Sequence, residues 1–210
     1  MAKPAPCIWV LAGTNGAGKS SIGGAFLRQS GGEYFNPDEA ARRILAVSPH
    51  LTLAEANSIA WAEGLRLLRA AIQARRDHFF ETTLGGETMT QCLEQALVAG
   101  LEVRIWYLGL QGVELHLARV AARVRKGGHD IQQDLIRRRY DNSRRNLIRL
   151  MPRLTELRIF DNSVEADPDS RQAPQPQLVM HLKNGMIVAP ADLTKTPDWA
   201  KPIVAAALRM

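Results

Sequence analysis

One octapeptide near the N-terminus constrains this chain more than any other feature. Gly13-Thr14-Asn15-Gly16-Ala17-Gly18-Lys19-Ser20 fits the pattern G-x-x-x-x-G-K-S/T at every fixed position. It follows a continuous apolar run, Cys7-Ile8-Trp9-Val10-Leu11-Ala12, of the kind a strand buried on both faces requires. A helix is expected next, over about residues 20–28. Strand, glycine turn and helix form the setting in which this spacing cradles phosphate. The glycines let backbone N–H groups close on a β-phosphate, and the helix N-terminus adds partial positive charge. Lys19 then reaches the β/γ oxygens, and the Ser20 hydroxyl suits a Mg²⁺ ligand. Gly13, Asn15, Gly16, Ala17, Gly18, Lys19, Ser20 and Ser21 are therefore the expected ATP-binding residues, with ATP as co-substrate and Mg²⁺ as cofactor.

The remainder of the chain reads as alternating strands and helices. Tyr34-Phe35-Asn36 is a short strand, and Pro37 suits the first turn of a helix. Thr52-Leu53-Ala54-Glu55 has capping-box spacing and opens the longest helix, to about Ala74. Strands are expected over 78–82, 102–108 and 157–161, and helices over 88–99, 113–126 and from an Asp130 cap to about Leu150. Residues 165–177 carry three prolines and read as a loop. Asn184-Gly185 suits the two-residue turn of a hairpin over 178–188. The tryptophans Trp9, Trp61, Trp106 and Trp199 fall at core-like positions. This alternation predicts an α/β P-loop NTPase fold of three layers, kinase-like, with a mainly parallel sheet. An Arg-rich helical lid over about 119–153 and a small C-terminal β-hairpin and tail over about 178–210 complete one domain of 210 residues.

Composition narrows the class. Hydrophobic residues make up 46% and charged residues 23%, which excludes wholesale disorder. No apolar run approaches the ~20 residues of a spanning helix, so no membrane partner is expected. The N-terminus lacks the apolar stretch of a signal peptide. Two cysteines, Cys7 and Cys92, form neither a disulfide framework nor a zinc set, and a reducing, cytoplasmic setting is the expectation. The charge is concentrated: residues 119–153 hold eleven Arg/Lys against three Asp, a net of +8 in a chain whose total is +6. Arg forks match phosphate and carboxylate oxygens, so this segment points to phosphate-bearing ligands, small or polymeric.

The phosphate cradle alone leaves the reaction open. No Asn-Lys-x-Asp guanine reader is present, since Thr194-Lys195-Thr196-Pro197-Asp198 has the wrong spacing and first residue. Leu84-Gly85-Gly86-Glu87 imitates a transport-ATPase signature, but the next strand ends without a carboxylate. A small-molecule kinase needs an acid to orient or deprotonate the acceptor hydroxyl, groups that hold the acceptor, and mobile cations over the phosphoryl group. Asp38 lies just past the second strand and Glu81-Thr82-Thr83 just past the third, where ligands of such sheets bind. Asp38 also suits a helix dipole, and Glu81 also suits a magnesium or water ligand. Asp161, closing an aliphatic strand, is a second candidate for that acid. Arg123-Val124-Arg125-Lys126-Gly127-Gly128-His129 and Arg137-Arg138-Arg139 supply cations and hinge glycines. Against this stands a nucleic-acid-binding or nucleic-acid-modifying ATPase using the +8 segment as a backbone track. Tyr140 is the only aromatic there, too few for base stacking.

In these residues the chain resembles the zeta-toxin family of P-loop kinases, particularly its shorter bacterial members. The likeness rests on residues 13–20, Asn36-Pro37-Asp38, Phe80-Glu81-Thr82-Thr83-Leu84, residues 123–130, Arg137-Arg138-Arg139-Tyr140 and Asp161-Asn162-Ser163. The resemblance implies phosphorylation of a hydroxyl on a nucleotide-type metabolite such as UDP-N-acetylglucosamine. It implies Asp38 as catalytic base, Lys19 on the β/γ-phosphates, and Ser20 on Mg²⁺. Glu81, Thr82 and Arg42 would hold the acceptor, Arg125 and Arg138 (with Arg123 and Arg137 as close substitutes) would clamp the transferring phosphate, and Asn162 would lie near the base. An antitoxin protein partner beside the ATP site is implied by the resemblance alone. Characterised members are generally longer, with further helices around the acceptor pocket.

Overall fold

The computed structural model describes residues 5–19, 34–164 and 175–210. Seven strands form one sheet: β1 (Cys7–Ala12), β2 (Tyr34–Phe35), β3 (His78–Thr82), β4 (Glu102–Gly109), β5 (Glu156–Asp161), β6 (Gln177–Lys183) and β7 (Met186–Ala189). Their order is β2-β3-β1-β4-β5-β6-β7. The first five in that order run parallel, and β6 and β7 antiparallel. The apolar run of β1 sits mid-sheet between β3 and β4, with Ile8, Leu11 and Ala12 fully buried. The phosphate-binding motif thus leaves the carboxyl end of a strand flanked by the ends of β3 and β4.

The described helices are α1 (Pro37–Val47), α2 (Leu53–Gln73), α3 (Glu87–Val98), α4 (Val113–Arg125), α5 (Gln133–Leu150) and α6 (Lys201–Ala207). Local chemistry sets several starts. Asn36 Oδ1 accepts the backbone N–H groups of Asp38 and Glu39, with Pro37 at the first turn of α1. Thr52 and Glu55 close a reciprocal capping box on α2. Caps of this kind contribute about 1 kcal/mol each. One large core joins β1, β3, β4, β5 and β6 to apolar residues of α2, α3, α5 and α6. A smaller cluster on the other sheet face gathers Leu11, Ala17 and Leu108 with Trp9, Phe79, Trp106 and Phe160.

Two expectations are corrected, for Asp130 and for Trp61. Asp130 does not cap α5: the helix begins three residues later at Gln133, and the Asp130 carboxylate accepts the N–H of Ile131. The expected hairpin is present as β6 and β7, and β6 pairs with β5 to extend the sheet. Its turn has Asn184 and Gly185 at φ of 49° and 77°, as a type I′ turn demands. Trp61 is 47% exposed, whereas Trp199 is 3% exposed and packs beneath Gly109, where a Cβ would lie 2.2 Å from the indole. The helix expected over 20–28 and most of the proline-bearing loop lie outside the described residues.

Candidate active site

The phosphate loop is shaped by glycines and held from three sides. Gly13, Gly16 and Gly18 have φ of 140°, 82° and 85°, which side-chain-bearing residues rarely adopt. A Cβ on Gly13 would lie 2.2 Å from the Leu108 carbonyl oxygen, and one on Gly16 would lie 2.8 Å from that of His116. Asn162, from the end of β5, donates its Nδ2 to the Ala17 carbonyl at 2.9 Å. His116, buried on α4, meets the Asn15 carbonyl through Nδ1 at 2.8 Å. Only a protonated Nδ1 can donate there. Burial pushes the His116 pKa down to about 4, so the ring is a neutral donor. Arg139, from α5, donates to Asn15 Oδ1 at 2.9 Å. Asn162 therefore buttresses the loop backbone and is itself buried. Ser20 and Ser21 lie outside the described residues.

Lys19 is buried, and its Nζ donates to the Gly13 carbonyl at 2.6 Å and lies 3.8 Å from Glu81 Oε1. Burial lowers its pKa, opposed by the Glu81 and then the Asp38 carboxylates, while Arg139 and Arg123 add to the lowering. Two acids and two guanidinium groups thus act on one ammonium. Glu81 is fixed by its neighbours: Oε2 accepts from Tyr34 Oη at 2.7 Å and Asn36 Nδ2 at 3.1 Å. Asn36 consequently caps α1 with one end of its amide and orients Glu81 with the other. Asp38, two residues on, is exposed. Lys19, Asp38, Glu81, Thr82, Asn15 and Arg138 line one cavity of about 680 Å³. That volume suits a small-molecule ligand.

The Zeta toxin family model matches residues 1–167, most of the chain and the whole of this site. The chain belongs to the Zeta toxin family. An uncharacterised protein of Haemophilus influenzae is 32% identical over 140 residues, covering 63% of this chain and 96% of that protein. Among solved structures, the AvrRxo1-ORF1:-ORF2 complex with ATP superposes with a TM-score of 0.64 at 15% identity, over 97% of this chain. The chain spans 64% of the length of that protein. A chain of the PezAT chromosomal toxin–antitoxin system of Streptococcus pneumoniae superposes at 0.57 and 15% identity, over 77% of this chain and 70% of that one. At such identities the likeness is one of fold, a kinase-like P-loop fold.

Within this Zeta toxin fold the arginines sort themselves by contact. Arg138 lines the cavity; Arg125 is exposed in the last turn of α4 and does not line it. Arg137 pairs instead with Glu114 at 2.6 Å. Arg123 donates to the His129 carbonyl at 2.9 Å, and its buried Nε has no hydrogen-bond partner. Arg139 also lines the cavity, its stem crossing Gly85, where a Cβ would lie 2.8 Å away. Burial lowers the Arg139 pKa and Asp38 opposes this. The helical phase of α5 marks Arg139, since it stands three residues after buried Ile136 and four before buried Ser143. Arg42, exposed on α1, bonds back to the Asp38 carbonyl and does not line the cavity. Asp161 Oδ1 accepts from Trp199 Nε1 and from Ser163, and Asp161 does not line the cavity. Asn57, Trp61 and Asn142 line the cavity without having been singled out by motif.

The donor set fits magnesium better than a softer metal. Among the described residues no group of His, Cys, Asp and Glu forms a metal cage. The oxygens beside Lys19 are the Gly13 carbonyl and the Glu81 carboxylate, all hard donors, and the sequence adds the Ser20 hydroxyl. Mg²⁺ binds through few protein oxygens when phosphates supply the rest.

Proposed function

We propose that this chain is an ATP-dependent kinase that moves the γ-phosphoryl group of ATP to a hydroxyl of a small molecule. Membership of the Zeta toxin family and the kinase-like P-loop fold support the kinase. The observation that carries the reading is the single cavity joining Lys19 of the phosphate loop to Asp38, Glu81, Arg138 and Arg139. The acceptor class we favour is a nucleotide sugar such as UDP-N-acetylglucosamine or another nucleotide metabolite, as the family resemblance implies.

Each residue then has a task. The acceptor oxygen forms a bond to the γ-phosphorus as the bond to the β-γ bridging oxygen breaks and ADP leaves. Asp38 takes the acceptor's proton at its carboxylate. Lys19 exchanges its contact with the Gly13 carbonyl for the β/γ oxygens. Arg138 and Arg139 sit over the charge that spreads onto the transferring oxygens. Glu81, locked by Tyr34 and Asn36, orients the acceptor beside Asp38. When bound, Mg²⁺ would be held by the Ser20 hydroxyl and would neutralise charge on the triphosphate. Closure of the α4–α5 segment excludes the water that would otherwise compete.

A nucleic-acid track draws less support. Arg137, Arg144 and Arg149 of the basic segment are tied to Glu114, Asp141, and Glu87 with Glu94. An antitoxin-like protein partner is carried over from the family, and the PezAT structure is of a toxin–antitoxin system.

The test is Asp38→Asn. It should leave ATP binding within about twofold of wild type and lower phosphoryl transfer by a factor on the order of 10² or more, the contribution of a general base. Isothermal titration with ATP and product mass spectrometry measure the two. Normal transfer by Asp38→Asn contradicts the assignment of the base.

A further inference from the structure

The part of the cavity lined by α2 carries a feature that the kinase chemistry leaves unused. The buried stripe of α2 runs through Ala56, Ala60, Gly64, Leu65, Leu68 and Ala71. Trp61 stands one residue off that stripe and is 47% exposed. It lines the cavity together with Asn57, one turn earlier, and Gly64, one turn later. The other tryptophans are all engaged with aromatic rings: Trp9 stacks on Phe79, Trp106 tilts against Phe160, and Trp199 against Tyr107. Among the described residues no ring packs on Trp61. A half-exposed indole is an unusual thing to leave open in a cavity unless something flat covers it.

Phe35 extends this surface. A Cβ on Gly64 would lie 2.5 Å from the Phe35 ring, so the missing side chain is what lets that ring lie against α2. Phe35 lines the same cavity. The same cavity is also lined by polar and cationic groups, Gln132, Arg138 and Asn142. An acceptor seated here has aromatic surface and amide and guanidinium groups within the one cavity.

From this arrangement, and resting on the kinase reading above, we infer that Trp61 is a stacking platform for a ring of the acceptor and determines which acceptors are phosphorylated. The part of the acceptor that reaches α2 is accordingly a ring, which lies on the indole while Asn57 reads a polar edge. The platform is remote in role from phosphoryl transfer, so it acts on binding of the acceptor alone.

The experiment compares wild type, Trp61→Ala and Trp61→Phe, each incubated with Mg²⁺-ATP and a cellular metabolite extract. Products are resolved by mass spectrometry, and ATP hydrolysis without extract gives the basal rate. Trp61 lies off the buried stripe, so both variants should fold, which circular dichroism checks. The expected result is a wild-type product that bears a ring. Trp61→Ala should raise KM for the purified form of that acceptor about tenfold, the order that one base–aromatic stack contributes. Its kcat and basal ATP hydrolysis should be unchanged, and Trp61→Phe should restore most of the loss. An unchanged KM in Trp61→Ala, or an acyclic product, overturns the platform while the kinase stands. A wild type that phosphorylates no small molecule overturns the kinase reading, and the platform with it.

Discussion

At the scale of residues, the site is built on side chains that serve two neighbours at once. Asn36 caps α1 and orients Glu81. Asn15 is gripped through its carbonyl by His116 and through its side chain by Arg139. Tyr107 donates to Ser143, which in turn donates to the Thr83 carbonyl, so a buried chain of hydroxyls links β4 to the loop after β3. Burial pushes the Tyr107 phenol up to about 12, keeping it a donor. His116 yields a pH prediction. Its folded pKa of about 4 lies below the 6.5 of the free side chain, so the unfolded chain binds the proton more readily. The stability it confers is complete above pH 6.5 and is lost as pH falls through 4, amounting to about 3 kcal/mol. Urea unfolding at pH 7.5, 5.5 and 4.5 should show that loss in wild type. In His116→Gln, whose amide can donate to Asn15 but cannot titrate, the slope over this window should be shallower. An equal slope in both proteins contradicts the role given to His116.

Elements follow local rules where local rules suffice. The capping box at Thr52, the proline at the start of α1 and the Asn184-Gly185 turn are each spelled by residues a few positions apart, and all three were legible. The turn can be tested alone. A Cβ on Gly185 meets nothing within 4 Å, so Gly185→Ala isolates the cost of φ at 77°. Destabilisation of about 1 kcal/mol is expected by urea unfolding, and a neutral result would mean the hairpin adopts another turn. Other features were not legible because distant partners decide them. The pairing of β6 with β5 joins segments separated by a loop, and nothing within either strand names the other. Asp130 has the chemistry of a cap for α5, yet its carboxylate is engaged one residue along the loop. Trp61 has the size and apolarity of a core residue, although the phase of α2 turns it off the buried stripe. Arg139 was hidden within a run of three arginines, and the inward phase of α5 distinguishes it from Arg137.

On the scale of the whole molecule, the sheet order puts β2, β3, β1 and β4 side by side, and the groups around Lys19 come from those strands, from their ends or from the helices. The C-terminal segment belongs to the same structure. Trp199 fills the space against Gly109 and donates to Asp161, and α6 adds Ile203 and Val204 to the main core. Within the +8 segment Arg119, Arg123, Arg139 and Arg144 are half-buried, and Arg139 reaches the phosphate loop, while the other basic side chains are exposed, Arg149 among them in its pairing with Glu94 of α3. The measurement that meets this account most directly is mass spectrometry of small molecules after pure protein is incubated with Mg²⁺-ATP and a metabolite extract, with Lys19→Ala as control. The account predicts a new species one phosphoryl group heavier than its parent in wild type and none in the control. ADP and inorganic phosphate as the only products of the wild type would contradict it.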